Sequence, residues 1–233
     1  MRNQKRMART LCLTLLAALG LIALTASAAY AGEFRVAGKT FTEAGIEEET
    51  ATGTGGSITL TSSGGVKLTC STVDYGKVTW LKKGDIHANN VKTLGCSIAG
   101  NEACEVFPTE KDAENKTNAK TLTVTADGRL VLSGTSHYIE LVGLGAEKLV
   151  MKVYLVGASC SLPKESKVTG STAFELPSAL TEWSQQPMKM TKPETAKLLG
   201  VQLFFNKETA TLSANEASLE LSGANAGKTW GAE

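Results

Sequence analysis

Gly95-Cys96-Ser97-Ile98-Ala99-Gly100-Asn101-Glu102-Ala103-Cys104-Glu105-Val106 sets two cysteines on either side of a Gly-Asn turn signal, with Cys70 upstream and Cys160 downstream. Gly100-Asn101 readily takes positive φ, and the residues between the cysteines suffice for a short hairpin that brings two sulfurs together. The stretch therefore reads as the staple of the fold. It points to structure rather than to chemistry.

Working outward toward the N-terminus, the first 31 residues have the three parts of a secretory signal peptide. Arg2, Lys5, Arg6 and Arg9 form a basic start, Leu11 to Ala26 an apolar run, and Ala29-Tyr30-Ala31 a small-x-small site ahead of Gly32. Cleavage is expected after Ala31, leaving residues 32–233 as a single all-β domain. Cys12 lies inside the apolar run and no cysteine stands at the cleavage point, which argues against a lipid anchor. Removing the four basic residues leaves 20 Lys and Arg against 23 Asp and Glu, a net charge of −3. A nucleic-acid partner is disfavoured by that balance. No second apolar run is long enough to span a bilayer, so the processed chain is expected to be secreted or displayed at the cell surface.

Four cysteines remain after cleavage, and an even number in an exported chain reads as disulfides rather than metal ligands. Three pairings are possible. The favoured one joins Cys96 to Cys104, because that pair is bounded by its own turn, and leaves Cys70 and Cys160 to cross-link more distant strands. Chain-entropy arguments assign ~2.5 kcal/mol to the short loop and ~4.6 kcal/mol to the long one. A Cys70–Cys96 bridge would overturn this arrangement.

From Glu33 onward the chain is rich in Thr, Val, Leu, Ser and Gly, the composition of many short strands and turns. Phe34 to Gly38 reads as a first strand and Gly45 to Gly56 as a polar loop, with Glu47-Glu48-Glu49 a solvated acidic run. Ser57 to Thr61 and Val66 to Cys70 alternate around Ser62-Ser63-Gly64-Gly65 and form a hairpin whose buried face holds Ile58, Leu60, Val66, Leu68 and Cys70. Thr121 to Thr125 and Arg129 to Ser133 read as a second hairpin around Asp127-Gly128. Glu110 to Lys120 is a charged, exposed loop that contains the glycosylation-type triplet Asn115-Lys116-Thr117, without meaning in a bacterial host. Leu149 to Val156 is a continuous apolar strand leading to Cys160, Ser178 to Met190 is irregular, and Pro193 to Leu199 is a short helix between its proline and Gly200. More than ten strands imply an all-β antiparallel sandwich or closed barrel; number and spacing leave the two open.

Candidate chemistry is thin. Gly223-Ala224-Asn225-Ala226-Gly227-Lys228-Thr229 is one residue short of a phosphate-binding loop and has no room for the helix that such a loop needs, so it reads as a polar tail carrying Trp230. His87 and His137 are the only histidines, and neither stands in a catalytic signature. Gly157-Ala158-Ser159-Cys160-Ser161 begins like a nucleophile elbow but lacks the second glycine. Among the acids, Glu140, between Ile139 and Leu141, is the first to inspect for paired-carboxylate chemistry. Trp80, Trp183 and Trp230, with Tyr75, Tyr138 and Tyr154, read as packing residues rather than a sugar-stacking platform. No catalytic, cofactor-binding or metal residue is assigned.

The strand ending in Cys70, the Gly95 to Val106 segment, the strand leading to Cys160 with Val168-Thr169-Gly170-Ser171 after it, and the ending Asn225-Ala226-Gly227-Lys228-Thr229-Trp230-Gly231 carry a resemblance. Together they resemble a large set of exported, cysteine-containing all-β proteins of soil actinobacteria to which no activity is attached. The resemblance implies bacterial export and the same pairing of cysteines, and it brings no binding residues with it. The expectation is a non-enzymatic structural or interaction module with an extracellular or envelope partner. The alternatives are a β-barrel or sandwich that binds a glycan or a small apolar ligand and, after that, a hydrolase.

Overall fold

The computed structural model describes residues 30–177, 182–190, 193–215 and 217–233. From the N-terminus the elements are β1 (Tyr30–Ala31), β2 (Phe34–Val36), β3 (Lys39–Thr40), α1 (Phe41–Ala44), β4 (Glu48–Gly55), β5 (Ile58–Ser62), β6 (Lys67–Cys70) and β7 (Thr72–Asp74). There follow β8 (Val78–Leu81), β9 (Asp85–Leu94), β10 (Ser97–Ile98), β11 (Glu105–Phe107), α2 (Glu110–Asn115), β12 (Leu122–Ser133), β13 (Ser136–Gly143) and β14 (Leu149–Val156). The chain ends with β15 (Glu165–Glu175), β16 (Gln185–Met190), α3 (Pro193–Leu199), β17 (Leu203–Phe205), β18 (Glu208–Ala214), β19 (Ala217–Ser222) and β20 (Trp230–Ala232). The protein is all-β, and every ladder is antiparallel.

The ladders fall into two halves that share β15. In the first, β9 pairs with β12, β12 with β13, β13 with the C-terminal half of β15, β15 with β16, β16 with β19, β19 with β4, β4 with β8, and β8 again with β9. This run returns to its starting strand, so each of its strands has a ladder on both sides over part of its length. In the second half the order is β10, β6, β5, β18, β17, the N-terminal half of β15, β14 and β11. Its two end strands, β10 and β11, are consecutive in sequence and joined by the Gly100-Asn101 turn. The strand β15 crosses from one half to the other at Gly170, whose φ is 106°. A Cβ there would lie 2.0 Å from the Gln202 carbonyl oxygen, so only glycine permits the crossing.

Each half has its own apolar cluster. Trp80, Ile86, Leu130, Ile139, Leu219 and Leu221 belong to the first. A small sheet of β2, β3 and β20 lays Phe34 and Trp230 against it: Phe34 stacks on Trp80 at 5.0 Å between centroids, and Trp230 lies 4.1 Å from Trp80. The tail residue Trp230 is thus fully buried, with its indole N–H donating to the Leu219 carbonyl. The second cluster contains Leu60, Leu68, Ile98, Val106, Val153 and Val168 together with Cys70, Cys96 and Cys104.

The cysteines pair as Cys70–Cys96 and Cys104–Cys160, which corrects the expected Cys96–Cys104 and Cys70–Cys160 bridges. The turn itself is present: Gly100 has φ 75°, and the Asn101 amide donates to the Ile98 carbonyl. Its flanks do not pair with each other. Ser97-Ile98 runs against Thr69-Leu68, which places Cys96 beside Cys70, and Glu105 pairs with Val156, which places Cys104 beside the turn that carries Cys160. Each bridge therefore pins one end strand of the second half to its neighbour.

Three further expectations are corrected. Leu122–Ser133 is one strand rather than a hairpin, because Asp127-Gly128 pairs on one side with His87-Ile86 and on the other with Val142-Leu141. Gly128 serves close approach, since a Cβ there would lie 2.4 Å from the Glu140 carbonyl oxygen. Glu48–Gly55 is a strand rather than a loop, with Glu49 and Ala51 buried, so the acidic run is only partly solvated. In the irregular stretch, Gln185–Met190 is strand β16, and residues 178–181 lie outside the described residues. The proline is accommodated because Pro187 faces a ladder partner, Ser218, on one side only. The Ile58–Ser62 and Lys67–Cys70 hairpin pairs as expected, with Leu60 opposite Leu68 and Ile58 opposite Cys70; Leu60, Leu68 and Cys70 are buried, whereas Ile58 and Val66 are only half-buried and Ser62 belongs to the strand. The charged interruption contains the short helix α2, capped by Thr109, whose hydroxyl accepts from the Asp112 amide.

Candidate functional site

The strand register disperses the residues that the sequence offered for catalysis. Asp127 and His87 are cross-strand partners on β12 and β9, and their side chains meet at 2.7 Å through His87 Nδ1 on an exposed face. Directly opposite them on the outer strands stand Thr79 and Val142. Glu140 lies beside Arg129 rather than a second carboxylate; the Arg129 Nε donates to its Oε2 at 2.9 Å. His137 is only 2% exposed, and among the described residues neither ring nitrogen has a hydrogen-bond partner. Burial holds its pKa below the usual histidine value. Ser159 and Ser161 sit in the turn that presents Cys160 to Cys104, so that glycine-serine sequence is part of a bridge rather than a nucleophile elbow.

The aromatics pack inward. Trp80, Trp230, Tyr75, Tyr138 and Tyr154 are buried, and Trp183 is half exposed. Burial alone pushes the Tyr75 phenol up to about 12. In the Gly223 to Thr229 tail, Gly223–Asn225 forms a single 3-10 turn, and the strand β20 follows rather than a helix. The Asn225 amide donates to the buried Glu49 carboxylate, and Lys228 donates to Asn225 Oδ1 at 2.7 Å, so the lysine is engaged within its own loop. Near both chain ends, Arg35 donates to Glu182 at 3.3 Å and to the Glu233 side chain. Glu182 also accepts from the Gly38 amide and the Thr229 hydroxyl. This polar cluster clamps β2 to the C-terminal segment.

Among the described residues no group of three or more His, Cys, Asp or Glu is placed to hold a metal ion. No helix there is long and apolar enough to cross a membrane.

Among the described residues, an interior feature lies where the two halves meet. A cavity of about 90 Å³ is lined by side chains of both clusters, among them Leu60, Val73, Tyr75, Val91, Met151, Val168 and Phe174. Its origin lies in a register coincidence: Ala88 on β9 stands directly opposite Ala126 on β12, both face inward, and both are small. Flanking positions carry larger pairs such as Val91 and Val124. Native interiors seldom keep a void much larger than a water molecule, and leaving 90 Å³ unfilled costs about 2 kcal/mol. No sequence signal marked this site, because two alanines 38 positions apart become neighbours only through the β9–β12 ladder. Compared with known proteins, the chain matches no family model, no curated protein and no solved structure.

Proposed function

We propose that the protein is exported and acts outside the cytoplasm as a rigid, non-enzymatic β module, structural in role or engaged with an extracellular or envelope partner. The observation that carries this reading is the placement of the two disulfides. All four cysteines outside the leader-like segment are consumed in bracing the second half of the fold, and such bridges persist in oxidising compartments. The reading is also supported by the local pairing of His87 with Asp127 and of Glu140 with Arg129, which are bonds between neighbouring strands.

Expression with its own N-terminal segment in a bacterial host tests it. The protein should be recovered from the medium or envelope fraction, with Cys70–Cys96 and Cys104–Cys160 seen by non-reducing peptide mapping. Retention in the cytoplasm with free thiols would overturn export. Turnover in a broad hydrolase screen, abolished by Asp127→Asn or Glu140→Gln, would overturn the non-enzymatic reading.

A further inference from the structure

We infer that the cavity between the two halves is a binding site for one unbranched aliphatic chain bearing an anionic head, entered from the groove between α3 and β18. Three observations carry this. First, the cavity wall is hydrocarbon almost throughout, and an apolar void stays dry and takes up apolar guests rather than water. Second, its volume of about 90 Å³ is below the ~150 Å³ of an apolar cavity that accepts benzene. It suits the last few carbons of a narrow chain better than a ring.

Third, the cavity has a neighbour. Thr172, Leu203 and Leu212 line both the cavity and a surface groove of about 700 Å³ between α3 and β18. These three side chains form a partition one residue thick. Leu212 and Thr172 are themselves half-buried, so rotation of their side chains would join groove and cavity. The groove is more polar than the cavity, with Ser171, Gln202 and Ser213 in its wall. Among the described residues the charged group in its wall is Lys197 on α3. An aliphatic tail in the cavity would thus leave its head group in the groove, beside a cation.

Octanoate and octyltrimethylammonium, straight-chain amphiphiles whose tails differ by one methylene and whose heads differ in sign, are the probes, titrated by calorimetry into the processed protein, residues 32–233. Octanoate should bind saturably at one site, at least 5-fold tighter than the cationic probe. Ala126→Leu, which fills the cavity, should weaken octanoate at least 10-fold while leaving the circular dichroism spectrum unchanged. Should that variant not fold, Leu203→Ala replaces it: widening the same cavity should admit 3-cyclohexylpropionate, which the parent protein excludes. Absence of saturable octanoate binding would overturn the inference. So would equal or tighter binding of the cation, or octanoate affinity indifferent to Ala126→Leu and ring discrimination indifferent to Leu203→Ala.

Discussion

The two halves of the molecule solve the same problem differently. The ladder through β4, β8, β9, β12, β13, β15, β16 and β19 meets itself, so each of its strands has neighbours on both sides, and its backbone hydrogen bonds and apolar cluster hold the circuit without a disulfide. The ladder from β10 to β11 does not meet itself, and its end strands are only two and three residues long. Short end strands have little to hold them, and both disulfides lie there. Covalent bracing thus appears where the ladder stops, and not where it closes.

That contrast can be broken experimentally. Replacing Cys104 and Cys160 by serine opens the longer loop, with a sequence separation of 56, and the chain-entropy relation puts the loss at about 4.2 kcal/mol. Replacing Cys70 and Cys96, with a separation of 26, should cost about 3.5 kcal/mol. Urea denaturation gives these totals, and hydrogen exchange locates them. Protection should fall first in β10, β11 and β6, with β9, β12 and β13 the last to open; uniform loss would remove the distinction between the halves.

A smaller effect is expected inside the closed circuit. Gly128→Ala places a methyl group against the Glu140 carbonyl and the Leu141 side chain, in a strand paired on both sides. The neighbouring backbone must move, at a cost of about 2 kcal/mol. The loss should appear as exchange in β12 and β13 with the second half unaffected.

The pH dependence sharpens the comparison further. His137 sits on β13 in the closed half, and burial holds its folded pKa below the 6.5 of an unfolded chain. Its neutral form fits the fold, so its contribution is complete above about pH 6.5 and is lost as pH falls from there toward the depressed folded value. The slope from this one group cannot exceed about 1.4 kcal/mol per pH unit. His137→Phe should flatten the stability profile between pH 7.5 and 5, measured by urea denaturation. An unchanged profile would place the acid sensitivity elsewhere.

The smallest effect concerns the N-terminal edge. Tyr30 and Ala31 pair with Leu132 and Val131, yet the leader-like pattern puts cleavage after Ala31. Chains beginning at Gly32 and at Tyr30 should differ by less than about 1 kcal/mol, given that only two ladder positions are involved. The difference should appear only as faster exchange at the C-terminal end of β12.

Much of the fold was legible because it is local. Period-two alternation in Ile58–Ser62 and Lys67–Cys70 fixes which face is buried, and a slip of one residue would expose Leu60 and Leu68 together. The helix α3 was legible from its proline and its glycine. Errors arose where a local signal met a non-local partner. Asp127-Gly128 has the chemistry of a turn, but two flanking strands offer it ladders on both sides, and the ladders prevail. Gly100-Asn101 does turn, yet its arms are claimed by β6 and β14, so the adjacent cysteines part.

The chain by itself determined the class of structure and the identity of the sulfurs available for bridging, since alternation, turn residues and cysteine number are properties of short stretches. Only the tertiary structure decided which sulfurs meet, which ladder closes, and that Ala88 and Ala126 face one another over a void. Each of these depends on the register between strands far apart in sequence, and register is set by the packing of the whole sheet rather than by any segment of it.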